Sequence, residues 1–150
     1  MQYHYRESGL DNVVITGIQM EKDDRGHDIV SIPNVSGLHR LLTGVLLRQK
    51  HGLGPKEIRF LRTEMSMTQM ELGEKLHKDH QSIGRWERGE NPIDPLADLA
   101  IRLLASEILG VPLDSPVTEV THWCILSATS ERIEIDGANP SNYRVVSRAA

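Results

Sequence analysis

Hydrophobic residues recur at helical spacing through the middle of the chain and at strand spacing near its two ends. The helical spacing predicts helices over about 34–49, 55–65, 69–76, 80–88 and 95–109. Short β-branched runs predict strands at 12–18, 27–32, 132–135 and 143–146. We expect the first two strands to pair as an N-terminal β-hairpin across QMEKDDRG, and the last two to pair as a C-terminal β-hairpin. The predicted fold class is mainly α, and α+β overall.

The segment before the C-terminal strands is ambiguous. Ser115 and Pro116 are suited to start a helix through VTEVTHWCILSAT, but WCIL is nearly as typical of a strand, so 116–129 is left as helix or strand. The apolar residues of the helix at 95–109 cover roughly 200° of its circumference, more than the about 100° of a one-sided helix. We therefore expect that helix to bury a second face, against the tail or a second subunit.

Two helix starts lie eleven residues apart in TQMELGEKLHKDHQSIGRWERG, residues 68–89. Thr68 and Glu71 have the spacing of a capping box, and Asp79 is suited to cap the next helix. Only two residues separate the end of the first helix from the second cap, so the two helices must cross sharply. This is helix-turn-helix geometry.

The glycine-containing stretch at 50–54, KHGLG, is the best candidate for a linker. We expect an N-terminal hairpin-helix module at 1–50, a helix-turn-helix domain at 54–110 and a C-terminal helix or hairpin extension at 111–150. At 150 residues the chain can hold one domain or two small ones.

The net charge of −4 argues only weakly against a nucleic-acid binder. Residues 51–91 carry seven basic and seven acidic side chains, whereas residues 92–150 carry four and eight, so the acidity belongs to the C-terminal part. A balanced central segment can still present a basic face if its charges are sorted between two sides.

The rest of the composition indicates a cytoplasmic protein that makes no membrane contact. No apolar run approaches the roughly 20 residues that cross a bilayer, and the first residues do not follow the pattern of a signal peptide. Cys124 is the only cysteine, which excludes an intrachain disulfide and a zinc-ribbon quartet. We expect Cys124 to be a small buried side chain.

Residues 55–90 resemble the helix-turn-helix of the XRE-type family, the class of lambda repressor and Cro. The resemblance lies in IRFLRTEMSMTQMELGEKLHKDHQSIGRWERGE, which follows the pattern Arg-x-x-x, Ser/Thr-Gln-x-x-Leu-Ala and Ser-x-x-x-Trp-Glu-x-Gly. Two positions depart from it. His77 stands where the family usually has a glycine in the turn, and histidine tolerates the left-handed region better than most residues. Gly73 stands where the family prefers alanine, and its missing side chain would let the two helices approach closely.

The resemblance implies a DNA-binding fold whose second helix enters the major groove. It places four residues at base-reading positions, namely His80, Gln81, Ser82 and Arg85. Bidentate geometry suits Gln81 to adenine and Arg85 to guanine. It places three residues at DNA phosphates, namely Gln69, Lys78 and Arg88. It also implies a core position for Ile83 and Trp86, and a structural ion pair between Arg62 and Glu87 outside the DNA site.

Simpler explanations compete with each of these roles. HKDHQS could be only a solvated surface. His77 and His80 have metal-ligand spacing but no third ligand nearby in sequence, so we expect no metal site. Paired carboxylates such as Asp23 and Asp24 have nothing nearby to shift their pKa or hold a substrate. The sequence contains no glycine-rich phosphate loop and no nucleophile beside a base, and it therefore predicts no enzyme and no cofactor.

The N-terminal third resembles the amino-terminal module of MqsA-like antitoxins, in which Cys-x-x-Cys-Gly ahead of the hairpin holds zinc. The corresponding stretch here is Tyr5-x-x-Ser8-Gly9, and the lack of cysteine excludes a thiolate zinc site at this place. This resemblance implies the antitoxin of a type II toxin-antitoxin pair, with a toxin protein as a further partner.

The sequence thus predicts a sequence-specific transcriptional regulator that binds a double-stranded DNA operator as a homodimer and represses its own operon. The alternative from another class is a protein-interaction module that keeps the helix-turn-helix fold without binding DNA. Strong salt dependence of DNA binding would favour the first, since phosphate contacts release counterions.

Overall fold

A computed structural model of the chain describes residues 1–125 and 132–146. Contacts divide the described residues into two compact units, one formed by 1–42 with 132–146 and the other by 43–125. We call them the sheet unit and the helical unit. The chain passes from the first to the second within helix α1, Val35–Leu47.

The sheet unit contains a four-stranded sheet in the order β1-β2-β5-β6. Its strands are β1 (Gln2–His4), β2 (Val13–Thr16), β5 (Ile133–Asp136) and β6 (Arg144–Val145). The β2–β5 pair is parallel and the two outer pairs are antiparallel. Every second residue of the two central strands is buried, which places Val13, Ile15, Ile133 and Ile135 on one core-facing side. The predicted C-terminal hairpin, β5–β6, is confirmed.

The predicted pairing of the N-terminal strands is wrong. Strand β4 (Asp28–Val30) pairs with β3 (Met20–Lys22) in a separate two-stranded sheet, while β2 lies in the larger sheet. The turn between β3 and β4 is tighter than expected because Asp23 Oδ1 accepts hydrogen bonds from the N–H groups of Arg25 and His27. Some of the charged residues that we expected in the turn therefore lie in strand β3.

The helical unit contains the end of α1 and five further helices. These are α2 (Pro55–Glu64), α3 (Gln69–Leu76), α4 (His80–Glu87), α5 (Pro95–Leu109) and α6 (Val117–Trp123). The predicted helices of this unit are confirmed within one or two residues at each end. Its core is apolar, and Ile58, Leu61, Leu72, Ile83 and Ile101 are at most 1% exposed.

Side-chain caps begin three of these helices, two of them at the residues that the sequence predicts. Thr68 and Glu71 form the capping box of α3. Asp79 accepts a hydrogen bond from the N–H of Gln81 at the start of α4, and Asp94 accepts one from the N–H of Ala97 at the start of α5. These caps satisfy N–H groups of the first turn, which have no partner within the helix.

The ambiguous segment begins as a helix. Val117–Trp123 forms α6, and Cys124, which follows it, is buried as expected. The later part of the segment, from 126 to 129, lies outside the described residues. Helix α6 packs against α5, but Leu96 and Ile108 of α5 remain 75% and 47% exposed. The expected second buried face of α5 is therefore only partly covered within the described chain.

The predicted linker at 50–54 is an anchored part of the helical unit. Arg102 of α5 is fully buried and donates hydrogen bonds to Asp98 Oδ1 and to the carbonyl oxygens of Leu47, Gln49 and His51. Asp98 Oδ2 in turn accepts the N–H of Leu53 at 2.8 Å. We call these contacts the Arg102 network. These contacts hold the backbone on both sides of Lys50.

Candidate nucleic-acid interface

Two residues that depart from the family pattern, His77 and Gly73, make the turn between α3 and α4 tight. His77 adopts the left-handed region, with φ 57° and ψ 40°, and ends α3. Gly73 lies so close to the start of α4 that a Cβ atom there would be 2.6 Å from the carbonyl oxygen of Lys78. The missing side chain thus permits the close approach that the sequence indicates, and α3 and α4 form a sharply crossed pair.

Helix α4 has a buried side and an exposed polar side. Ile83 and Trp86 are buried, which confirms their predicted place in the core. The four proposed base-reading residues lie on this short helix. Ser82 is half-buried, and the other three are exposed, namely His80, Gln81 and Arg85. Arg85 forms no ion pair among the residues that the structure describes. The exposed side of α4 is therefore able to make new polar contacts.

Arg62 and Glu87, which the resemblance expects to pair, form a bidentate ion pair between α2 and the end of α4. Arg62 Nε and Nη2 donate to the two carboxylate oxygens of Glu87 at 2.6 and 2.8 Å. Arg62 Nη1 also donates to the carbonyl oxygen of Met67 at 2.9 Å. The hydrogen bonds to Glu87 raise the pKa of Arg62 further above its ordinary value. The pair holds α4 against α2 and the residues that precede α3.

Gln69 is attached to the same ion pair. Its amide Nε2 donates to Glu87 Oε1 at 3.2 Å, and the side chain is half-buried in the first turn of α3. The start of a helix is a place where the helix dipole favours an anion. Gln69 is therefore positioned by Glu87 rather than loose on the surface.

The predicted phosphate-binding cations already have carboxylate partners. Lys78 Nζ lies 3.5 Å from Asp94 Oδ2. Arg88 Nε and Nη2 donate to the two carboxylate oxygens of Glu90 at 3.0 and 3.1 Å. The hydrogen bonds between them raise the pKa of Arg88 and lower that of Glu90. Both cations are thus partly neutralised by their own chain.

Sequence reasoning missed these carboxylates. Glu90 is two residues from Arg88, but an i, i+2 spacing would separate the two side chains on a continuing helix. They meet because the helix ends between them, at Gly89 with φ 75°. The position of Gly89 after the last helical turn was the available signal. Asp94 lies sixteen residues after Lys78, and no local pattern in the sequence indicates that the two side chains meet.

The described residues hold no group of three or more His, Cys, Asp or Glu side chains that could bind a metal ion. None of the helices in the described ranges is long and apolar enough to cross a membrane.

Residues 58–115 match the model of a helix-turn-helix family, described as Helix-turn-helix. Searches among curated proteins and among solved structures found no match to the chain. The matched segment contains α3, the His77 turn, α4 and α5 in full, and most of α2. It supports the XRE-type resemblance, whereas the resemblance to MqsA-like antitoxins receives no such support. Residues 58–115 are therefore similar to helix-turn-helix domains of the XRE type.

Proposed function

We propose that the protein is a sequence-specific DNA-binding transcriptional regulator whose helix α4 enters the major groove. The observation that carries the proposal is the exposed polar side of α4 within a segment that matches a helix-turn-helix family. In this motif the second helix lies in the groove and its N-terminal residues meet base edges. The burial of Ile83 and Trp86 supports the proposal because it fixes which side of α4 remains for DNA.

The proposal assigns roles by exposure and chemistry. Gln81 and Arg85 read adenine and guanine through paired hydrogen bonds, and His80 and Ser82 add contacts at the start of α4. Three side chains contact phosphates beside the groove, namely Gln69, Lys78 and Arg88. The Arg62–Glu87 pair keeps α4 in place and does not contact DNA.

A homodimer is part of the proposal. One recognition helix reads only a few base pairs, and two copies double the readout at half-sites one helical turn apart. The exposed apolar side chains of Leu96 and Ile108 on α5 support an association between copies. Light scattering should then give twice the 16.9 kDa mass of one chain. A single-chain mass at working concentrations would contradict this part.

Autorepression and an antitoxin role are the most specific parts of the proposal, and both are based on the sequence resemblance. They require a cytoplasmic protein that binds the DNA upstream of its own gene and, as an antitoxin, a toxin encoded beside it. Repression of a reporter by the upstream DNA would support the first. Co-purification with the product of an adjacent gene would support the second, and failure of either assay would remove that part alone.

The test of DNA binding is a titration of the upstream DNA followed by fluorescence anisotropy at several salt concentrations. Arg85→Ala should weaken binding to the cognate site by about 10- to 100-fold and relax one base position. Gln69→Ala should weaken binding to all sequences similarly, because a phosphate contact carries no base information. Arg144→Ala removes one exposed positive charge from β6 of the sheet unit and serves as the control.

Each outcome has a distinct meaning. Tight binding that weakens steeply with salt and is lost in Arg85→Ala supports the regulator. Equal losses on every sequence for Arg85→Ala and Gln69→Ala would overturn the assignment of roles. An intact wild-type protein that binds no DNA at low salt would overturn the function and favour the protein-interaction module.

A further inference from the structure

The end of α4 holds a guanidinium and a carboxylate in a bidentate pair at the proposed DNA surface. The two N–H···O contacts between Arg88 and Glu90 are 3.0 and 3.1 Å long. Both side chains are exposed, by 58% and 53%. A bidentate fork of this kind is also how a guanidinium binds a phosphate group. In the free protein, Glu90 therefore occupies two of the five N–H donors of Arg88, a fork that is also suited to a phosphate.

The backbone places this carboxylate beside Arg88. The N–H of Gly89 donates to the carbonyl oxygen of Trp86 at 3.1 Å, and the N–H of Glu90 donates to that of Arg85 at 2.9 Å. With Gly89 in the left-handed region, these two bonds form a Schellman motif that ends α4. The Cα position of Glu90 is thus set by the helix end itself.

We infer that Glu90 competes with DNA phosphate for Arg88 and thereby weakens DNA binding at every sequence. The inference rests on the proposed DNA-binding function. The Nε–H and Nη2–H donors that hold Glu90 cannot hold a phosphate at the same time, so a phosphate that binds this side of the guanidinium must displace Glu90. The displaced carboxylate then stays near a phosphate of the same charge. Both effects act on the backbone contact and are independent of the bases.

Glu90 is a cleaner position for a test than Asp94, the other carboxylate at this surface. Asp94 both contacts Lys78 and caps α5 through Ala97, so its substitution would also damage that helix. The Glu90 carboxylate, in contrast, caps no helix; it accepts side-chain hydrogen bonds from Arg88, and the charge of Arg85 is also close enough to lower the pKa of Glu90. Glu90→Gln keeps the side chain's size and removes its charge.

The experiment compares the affinity of wild type and Glu90→Gln for the upstream DNA and for a random duplex, by anisotropy across a salt series. We expect Glu90→Gln to bind both duplexes about two- to fivefold more tightly at low salt. The slope of log K against log salt should become steeper by up to about one. Glu107→Gln, which removes an exposed charge near the end of α5, is the matched control and should change neither.

A double-mutant cycle with Arg88→Gln separates competition from general repulsion. If Glu90 competes for Arg88, Glu90→Gln should tighten binding clearly more in the wild-type background than when Arg88 is already replaced, where only the repulsion of phosphate remains to be relieved. Equal tightening in both backgrounds would overturn the competition. DNA binding that Glu90→Gln leaves unchanged would overturn this inference while the proposed function stands. If no variant binds any DNA, the proposed function fails and the inference fails with it.

Discussion

The helical unit uses the same two chemical groups, a guanidinium and a carboxylate, in its interior and at its proposed DNA surface. In the interior, Arg102 and Asp98 are 0% and 1% exposed and also hold backbone groups of residues 47–53. At the surface, Arg88 and Glu90 are more than half exposed and contact each other. Breaking a buried pair leaves a charge without water, whereas solvent compensates an exposed one. Burial therefore decides which pair fixes the structure and which can open for a ligand.

The largest expected effect follows from removing the buried cation. Arg102→Leu should lower the free energy of unfolding by about 3–5 kcal/mol, because Asp98 stays buried without its partner. Three backbone carbonyls lose a donor as well, which adds to the cost. Urea denaturation followed by circular dichroism measures the change. Arg88→Leu is the matched exposed variant and should leave the urea midpoint nearly unchanged.

The double variant Asp98→Leu/Arg102→Leu tests whether the charges alone explain this loss. We expect it to stay unstable, because the N–H of Leu53 and the carbonyls near Gln49 would still lack partners. Recovery to wild-type stability would contradict the view that the Arg102 network exists to hold the 47–53 backbone.

A smaller effect is expected at the two buried glycines of the helix pair. A Cβ at Gly73 would meet a backbone carbonyl at 2.6 Å, whereas the nearest atom at Gly84 is Arg88 Nη1 at 2.9 Å, the end of a flexible side chain. Gly73→Ala should therefore destabilise the protein by about 1–3 kcal/mol despite the better helix propensity of alanine. Gly84→Ala should be neutral or stabilise by up to about 1 kcal/mol. Thermal unfolding compares the two variants, and the reverse order would contradict a tight α3–α4 contact.

These differences also explain how much could be predicted from the sequence. The helix-turn-helix was predictable because its signals are local: Thr68 and Glu71, three residues apart, cap α3, and Asp79 caps α4. The four-stranded sheet was not predictable, because Val13 pairs with Ile133 and no pattern in the sequence close to either residue indicates that pairing. The hairpin prediction failed for the same reason, since β2 found partners at both ends of the described chain.

The proposed DNA surface was predictable in its residues and not in their contacts. Exposure of Gln81 and Arg85 follows from the apolar spacing of Ile83 and Trp86 on the same helix. The pairing of Arg88 with Glu90 depends on the backbone turn at Gly89, which brings together side chains that helical spacing would separate. Asp98 and Arg102, in contrast, stand four apart in an otherwise apolar helix, and that spacing was a usable signal for a buried pair.

The smallest effect is expected at the buried thiol of the helical unit. Cys124 is 1% exposed and its Sγ donates to the carbonyl oxygen of Val120 at 3.5 Å. Burial, with the nearby charge of Asp98, raises the pKa of the thiol from 9.0 to about 12. Because the thiolate is the reactive form, an aromatic disulfide reagent at pH 8 should modify the native protein far more slowly than the urea-unfolded chain. Equal rates would show that the thiol is accessible.

The raised pKa also gives this thiol a defined pH dependence. The unfolded chain loses the Cys124 proton above pH 9 while the native protein keeps it, so the unfolded state binds fewer protons there. This contribution to stability is complete below pH 9 and is lost as the pH rises towards 12. Tyr3 and Tyr143 also have raised pKa values, so Cys124→Ala is needed as the reference. As the pH rises from 9 towards 12, the unfolding free energy of the wild type should therefore fall relative to that of Cys124→Ala. A difference independent of pH would show that the interior does not hold the thiol neutral.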